Sequence, residues 1–156
     1  NLARQRVWIT SPYFVPNEAV LEALKLAAIR GLDIRVIVPQ NPDKKTVWYA
    51  AFSYMKEAQA AGVKFYRYQK GFLHQKVMLV DDDLAVVGTA NLDNRSFRLN
   101  FEISVLVADQ SFAGDLAEML VDDFADCQPV TREETTEQAL FTRIAIAASR
   151  LLSPIL

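Results

Sequence analysis

The sequence predicts an α/β fold in which a mixed, largely parallel β-sheet of about six or more strands is sandwiched between helices. Three observations lead there. Short β-branched and apolar runs alternate with helical patterns through the first half of the chain, as in βαβ units. Asp81, Asp82 and Asp83 sit between two apolar runs, where a hairpin turn belongs. The composition is 51% hydrophobic over 156 residues, enough for one well-formed core.

Residues 7–10 read as the first strand, which runs into a loop at Pro12. Asn17 is placed to cap a helix whose Val20, Leu21, Leu24, Ala27 and Ala28 recur at helical spacing, and Gly31 ends it. Residues 33–38, DIRVIV, form a second strand broken by Pro39 and Pro42. Asp43 is expected to cap the next helix, which reaches about residue 61. Lys44 and Lys45 fall in its first turn, where the helix dipole disfavours cations. They read as solvated, with an anionic headgroup as the weaker alternative. Trp48, Tyr49, Phe52, Tyr54 and Met55 are assigned to the core, although some could meet acyl chains or a partner domain.

Residues 63–68 form the third strand. Residues 73–80 and 84–87 make the hairpin, and residues 103–108 make a further strand. A helix over residues 111–125 buries Leu116, Met119, Leu120 and Phe124, and Asp122, Asp123 and Asp126 form a solvated acidic end. We therefore expect a domain over residues 1–130 and an amphipathic helical tail over 131–156. In that tail Arg143 and Arg150 share one face, while Leu140, Ile144, Ala147 and Leu151 form the opposite stripe. Such a helix can lie on a membrane or pack against the protein.

The chemistry concentrates in residues 74–102, HQKVMLVDDDLAVVGTANLDNRSFRLNFE, which open on the only histidine of the chain. On a strand, His74 and Lys76 project from the same face, so a nucleophile or proton carrier stands beside a fixed positive charge. Gly88 permits close backbone approach, and Thr89 and Asn91 offer neutral donors. Glu102, at the start of the next strand, could hold an imidazole in one orientation. A phosphodiester is an anion that repels nucleophiles. Its cleavage needs positive charge and donors aimed at the phosphoryl oxygens, together with a nucleophile or acid. Arg95 and Arg98 follow closely; they could clamp a headgroup phosphate or pair with nearby carboxylates.

HQKVMLVDDDLAVVGTANLD resembles the His-x-Lys-x4-Asp-x6-Gly-Ser/Thr motif of the phospholipase D superfamily, with Thr89 and Asn91 in the expected places. The flanking segments SPYFVP, AAGVKFY, GTANLDNRSF and LNFEI, and the ending LLSPIL, are similar to the C-terminal half of bacterial cardiolipin synthases. The resemblance implies transfer of a phosphatidyl group between two phosphatidylglycerol molecules, without metal or other cofactor, through a phosphohistidine. It implies catalytic roles for His74, Lys76, Asp81, Asn91 and Glu102, and substrate contacts from Lys76, Thr89, Asn91 and Arg95. Asp81, at the far end of its strand, is expected to act structurally. The resemblance also implies phosphatidylglycerol and a membrane surface as partners, at the inner membrane of a bacterium.

That family uses two such motifs per active site, and this chain has one. Either an N-terminal half with a second motif completes the site, or a second copy does so in a homodimer. The chain starts at Asn1 instead of Met, which fits a portion of a longer chain. In a two-motif protein His74 leans towards the general acid. Two alternatives remain: a homodimeric nuclease of the same superfamily, and an incomplete domain that only binds phospholipid or a partner. The net charge of −2 provides no general basic field, so no nucleic acid partner is expected. One cysteine and one histidine argue against a disulfide or a zinc site within the chain.

Overall fold

In the computed structural model, which describes residues 2–151, every predicted strand and helix of the first 125 residues has a counterpart. The elements run β1 (Arg6–Thr10), β2 (Phe14–Val15), α1 (Glu18–Ile29), β3 (Asp33–Pro39), α2 (Lys45–Ala60), β4 (Lys64–Tyr68), β5 (Val77–Val80) and β6 (Leu84–Gly88). They continue with β7 (Leu92–Asp93), α3 (Asn94–Arg98), β8 (Ser104–Ala108), α4 (Gln110–Ala125), β9 (Cys127–Pro129), α5 (Arg132–Thr136) and α6 (Leu140–Leu151).

Seven strands form one sheet in the order β8-β6-β5-β1-β3-β4-β9, and β2 pairs with β7 in a separate ribbon. The sheet is mixed, as expected, but the parallel part is confined to its centre. Only β1–β3 and β3–β4 are parallel, while β1–β5, β5–β6, β6–β8 and β4–β9 are antiparallel. The reason is connection length. A parallel crossover needs a dozen or more residues, which α1 and α2 supply. The turn at Asp81–Asp83 is too short for that and folds β5 straight back on β6.

Side-chain alternation divides the core between the two faces of the sheet. Val7 and Ile9 of β1, Ile34, Val36 and Val38 of β3, and Met78 and Val80 of β5 pack with α1 and α2. Trp8, Ile37 and Leu79 turn the other way, against Ala113, Leu116 and Leu120 of α4. Asn17 caps α1 as anticipated, accepting from the Val20 amide at 2.9 Å, and Gly31 ends that helix with φ +90°. Of the aromatic set on α2, Phe52, Tyr54 and Met55 are buried, and Trp48 and Tyr49 are half-buried.

Three expectations need correction. Asp43 does not cap α2; Lys44 stands at the N-cap without a side-chain bond, because the Asp43 carboxylate is engaged by the Tyr13 hydroxyl at 2.6 Å. Residues 73–76 are not part of β5, because β1 ends at Thr10, opposite Val77, and leaves them no strand to pair with. Met119 is exposed on α4 instead of buried. Beyond these, the tail is helical, divided into α5 and α6, and the Leu140–Ile144–Ala147–Leu151 stripe of α6 faces outward, one of the two placements open to it. The ending LLSPIL lies largely outside the described residues.

The α1/α2 core has Phe14 at its centre, fully buried and edge-on to Phe65 with ring centroids 4.8 Å apart. Replacing Phe14 by Ala should lower the unfolding free energy by about 3–5 kcal/mol, read from the midpoint of urea denaturation at an unchanged slope.

Candidate active site

Three segments converge beyond the carboxyl ends of the parallel strands β1 and β3. They are the exit of β1 (Ser11–Phe14), the approach to β5 (His74–Lys76) and the glycine loop after β6 (Gly88–Asn91). Because β5 runs antiparallel to β1, its first residues lie at the end where β1 leaves the sheet.

A buried serine fastens two of the segments. Ser11 Oγ donates to the Tyr13 carbonyl at 2.8 Å and accepts from the Leu92 amide at 3.1 Å, so the first loop is tied to β7. Gly88 places the third. A Cβ at this position would lie 2.4 Å from the Ile103 carbonyl oxygen and 2.4 Å from Ser104 Oγ. Only glycine lets β6 approach β8 so closely. Thr89 locks the same crossing: its amide donates to the Ile103 carbonyl at 2.9 Å, and its Oγ1 accepts from the Ile103 amide at 3.0 Å.

His74 stands exposed, its ring stacked at 16° on that of Phe72, with centroids 5.4 Å apart. Lys76 Nζ donates to the His74 carbonyl oxygen at 2.7 Å, which holds the ammonium against the backbone of His74. Lys76 and Asn91 line a shallow cleft of about 150 Å³ with Thr10, Ser11 and Ser104. Within it the Asn91 side-chain oxygen is buried without a hydrogen-bond partner among the described residues. An amide with an unpaired oxygen can turn its NH2 to an anion at little cost.

The electrostatics oppose one cation to three carboxylates. Burial pushes the Lys76 ammonium below its ordinary value, while the charges of Glu102, Asp43 and Asp93 pull it back only in part. Glu102 is held below the usual carboxylate range by hydrogen bonds from Thr89, Asn100 and Ser96 and by the Lys76 charge, against a small opposing effect of burial. Ser96 Oγ donates to Glu102 at 3.2 Å and Asn100 Nδ2 donates at 3.1 Å. Glu102 therefore bonds to the glycine loop and α3, not to the His74 imidazole that spacing had suggested. Asp93 is buried and caps α3 through a 2.6 Å bond from the Ser96 amide. Arg95, in α3, is exposed and makes no ion pair among the described residues.

Asp81 lies at the opposite end of β5. Its carboxylate accepts from the amides of Arg4, Gln5 and Arg6 at 2.9, 2.8 and 3.0 Å, and its own amide donates to the Arg6 carbonyl. The four residues of β5, Val77–Val80, separate it from Lys76, about 16 Å at strand rise. Asp81 cannot touch a group reacting at Lys76 and instead anchors the start of β1. Sequence reading missed Ser11, Tyr13, Asp43 and Ser96 as neighbours of the site. The D-x-x-S spacing of Asp93 to Ser96 is a cap signal that was there to be read. Among the described residues no three His, Cys, Asp or Glu side chains gather where they could share a metal ion.

Comparison with known proteins agrees with this geometry. Residues 1–125 match the family described as cardiolipin synthase, PLD-like domain. Cardiolipin synthase A of Pseudomonas aeruginosa is 54% identical over 156 residues, which is 100% of this chain and 32% of that protein. The chain thus spans about a third of the length of the curated relatives it matches. Among solved structures, phosphatidylserine synthase of Haemophilus influenzae superposes with a TM-score of 0.77 at 19% identity, over 99% of this chain and 42% of that one. Nuc, a phospholipase D family member from Salmonella typhimurium, gives 0.71 at 19% identity, over 83% and 84%. At these identities the two structures establish the fold.

Two outcomes follow from the site. Burial tends to raise the Asp81 carboxyl, but the amides of Arg6, Gln5 and Arg4 outweigh it and hold the group below its ordinary value. Its stabilisation is therefore present above about pH 4 and is lost as pH falls through the lowered folded value. Asp81→Asn should cost about 1 kcal/mol at neutral pH and flatten the acid limb of stability against pH, with little change in turnover. For Lys76, removing a neighbouring negative charge disfavours the ammonium. Glu102→Gln should therefore move the Lys76 titration, followed by its 13Cε resonance, further down from that of an ordinary lysine.

Proposed function

Because this chain belongs to the cardiolipin synthase family of phospholipase D-like domains, we propose that it supplies the C-terminal half of the active site of a bacterial cardiolipin synthase. The reaction is phosphatidyl transfer from one phosphatidylglycerol to another, with release of glycerol. One observation carries this reading: the Lys76 ammonium, bonded to the backbone of His74, shares a cleft with the free amide of Asn91. That is a cation and a neutral donor poised for a phosphodiester, and the residue whose backbone the cation bonds carries an exposed imidazole.

In the proposed mechanism an imidazole nitrogen attacks phosphorus. The bond from phosphorus to the glycerol oxygen breaks, and a second histidine gives that oxygen its proton. A hydroxyl of the second phosphatidylglycerol then attacks the phosphohistidine, its proton passes to the second histidine, and the P–N bond breaks. Lys76 and Asn91 hold the phosphoryl oxygens through both steps. Thr89 and Asp93 shape the loop that presents Asn91, and Arg95 is free to meet an approaching phosphate. Glu102 acts on Lys76 and the loop, where it balances the cation. In a two-motif protein His74 takes the acid role first and the base role second.

The other histidine, the one that attacks phosphorus when His74 is the acid, must come from outside this chain. The relatives' additional length supports an N-terminal portion as its source. Phe101, Ile103 and Val105 stand exposed beside Glu102 on the edge strand β8 and its approach, an apolar rim suited to that portion. The nuclease alternative rests on fold likeness alone, whereas the 54% identical relative is a lipid enzyme by name. With phosphatidylglycerol as substrate, the protein works at the bacterial inner membrane.

In the full-length protein, His74→Ala should lower cardiolipin formation by about 10³-fold with an unchanged circular dichroism spectrum. Continued cardiolipin synthesis by the folded variant would sink the assignment of His74.

A further inference from the structure

Helix α6 is the outermost layer of the molecule. It lies on α2 through one narrow face, with Thr142, Ala145 and Ile146 half-buried and Ser149 buried. Arg150 fixes its end by donating to Ser53 and to Glu57, and its guanidinium stands over the Tyr54 ring at 4.8 Å. At 100° per residue, Leu140, Ile144, Ala147 and Leu151 fall on the side directly away from α2, flanked by Phe141. Ile144 is 60% exposed and Leu151 83% exposed. A helix that had only to cover α2 would carry its large apolar residues inward. Here Ile146 is the one large apolar side chain that faces in, beside Thr142, Ala145 and Ser149, while Leu140, Ile144 and Leu151 face out.

Charge indicates what covers them. Residues 139–151 contain two arginines and no acidic residue, in a chain whose net charge is −2. Arg150 is engaged with α2. Arg143, on the border of the outward stripe, is exposed and has no carboxylate partner among the described residues. An apolar stripe edged by an uncompensated arginine on an otherwise acidic molecule is complementary to an anionic lipid surface.

We propose that α6 is a membrane-docking element. Its Leu140–Phe141–Ile144–Leu151 face enters the headgroup–acyl boundary of an anionic bilayer, with Arg143 at the phosphate level. This inference rests on the phospholipid reading of the site, because it assigns that site's substrate bilayer a place to be held. Leu151 leads towards the chain end, and Arg150 joins α6 to the same helix α2 whose first turn abuts Asp43 and Tyr13. Docking through α6 therefore couples the bilayer to a helix that borders the site.

The test uses flotation of the chain with vesicles of phosphatidylglycerol and phosphatidylcholine mixed, against vesicles of phosphatidylcholine alone. The chain should float with the mixed vesicles in a salt-sensitive way and stay behind with the neutral ones. Leu140→Gln combined with Ile144→Gln changes only exposed positions, so the fold should hold by circular dichroism while binding falls at least about tenfold. Arg143→Gln should weaken binding about fivefold. A fluorophore on Phe141→Cys, in a Cys127→Ser background, should be quenched by brominated acyl chains. Wild-type binding no tighter than that of the double variant, or an unquenched probe on bound protein, would overturn the inference. The reading of the site fails separately. In the full-length protein the double variant should keep its turnover on water-soluble short-chain phosphatidylglycerol, and His74→Ala should keep its vesicle binding. Loss of vesicle binding on His74→Ala would place the contact at the site and overturn docking through α6.

Discussion

The antiparallel seat of β5 against β1 is the constraint on which the rest of the structure depends. It pairs Val7 with Val80 and Thr10 with Val77. One end of this pairing is pinned by the Asp81 carboxylate, which gathers three consecutive amides at the start of β1. The other end is free to present Lys76 where β1 turns away through Ser11. A one-residue slip would exchange the two faces of β5, send Lys76 towards α4 and bring Gln75 into the cleft. The aspartate of the motif thus anchors the start of β1 and helps to fix the register that places Lys76 beside the β1 exit.

The local charge balance follows from the same arrangement. Lys76 is partly desolvated and faces Glu102, Asp43 and Asp93. Without a phosphate this side of the cleft is more negative than positive, which disfavours an anionic substrate. Two features offset that. Tyr13 donates to Asp43, and burial together with that bond pushes its phenol far up, so it stays a donor. Hydrogen bonds from Ser96 and Asn100 spread the charge of Glu102. A phosphoryl group arriving at Lys76 then meets a cation whose nearest carboxylates are already hydrogen-bonded.

Much of the fold was legible because it rests on local rules. The Asn17 cap, the glycine stop at Gly31 and the aspartate hairpin all follow from short-range chemistry, and the apolar runs gave the strands. What failed was decided by tertiary contacts. Asp43 has the chemistry of a cap, but a buried tyrosine hydroxyl claimed it. Residues 74–76 alternate like a strand, but β1 ends before reaching them. Three-residue β9, ending on Pro129, joins the sheet edge with no periodicity to reveal it. At the candidate site, motif spacing pointed to Lys76 and Asn91 together, and the structure lines one cleft with both. The real partners of Glu102 were not readable from spacing, because they depend on how Gly88 lets β6 and β8 close together. The two faces of α6 were also separable by period, yet which face meets the protein was decided by tertiary contacts, the packing of Thr142, Ala145, Ile146 and Ser149 on α2 and the bonds of Arg150 to Ser53 and Glu57.

The central claim is that this chain holds one half of a phosphoryl-transfer site, complete in its phosphate binders and incomplete in its histidines. Glycerol release from phosphatidylglycerol tests it most directly, measured over a dilution series of the chain alone and again with the relatives' N-terminal portion added. The account predicts no release by the dilute monomer and its appearance with the added portion. Release by the monomer alone, in simple proportion to its concentration, would contradict it.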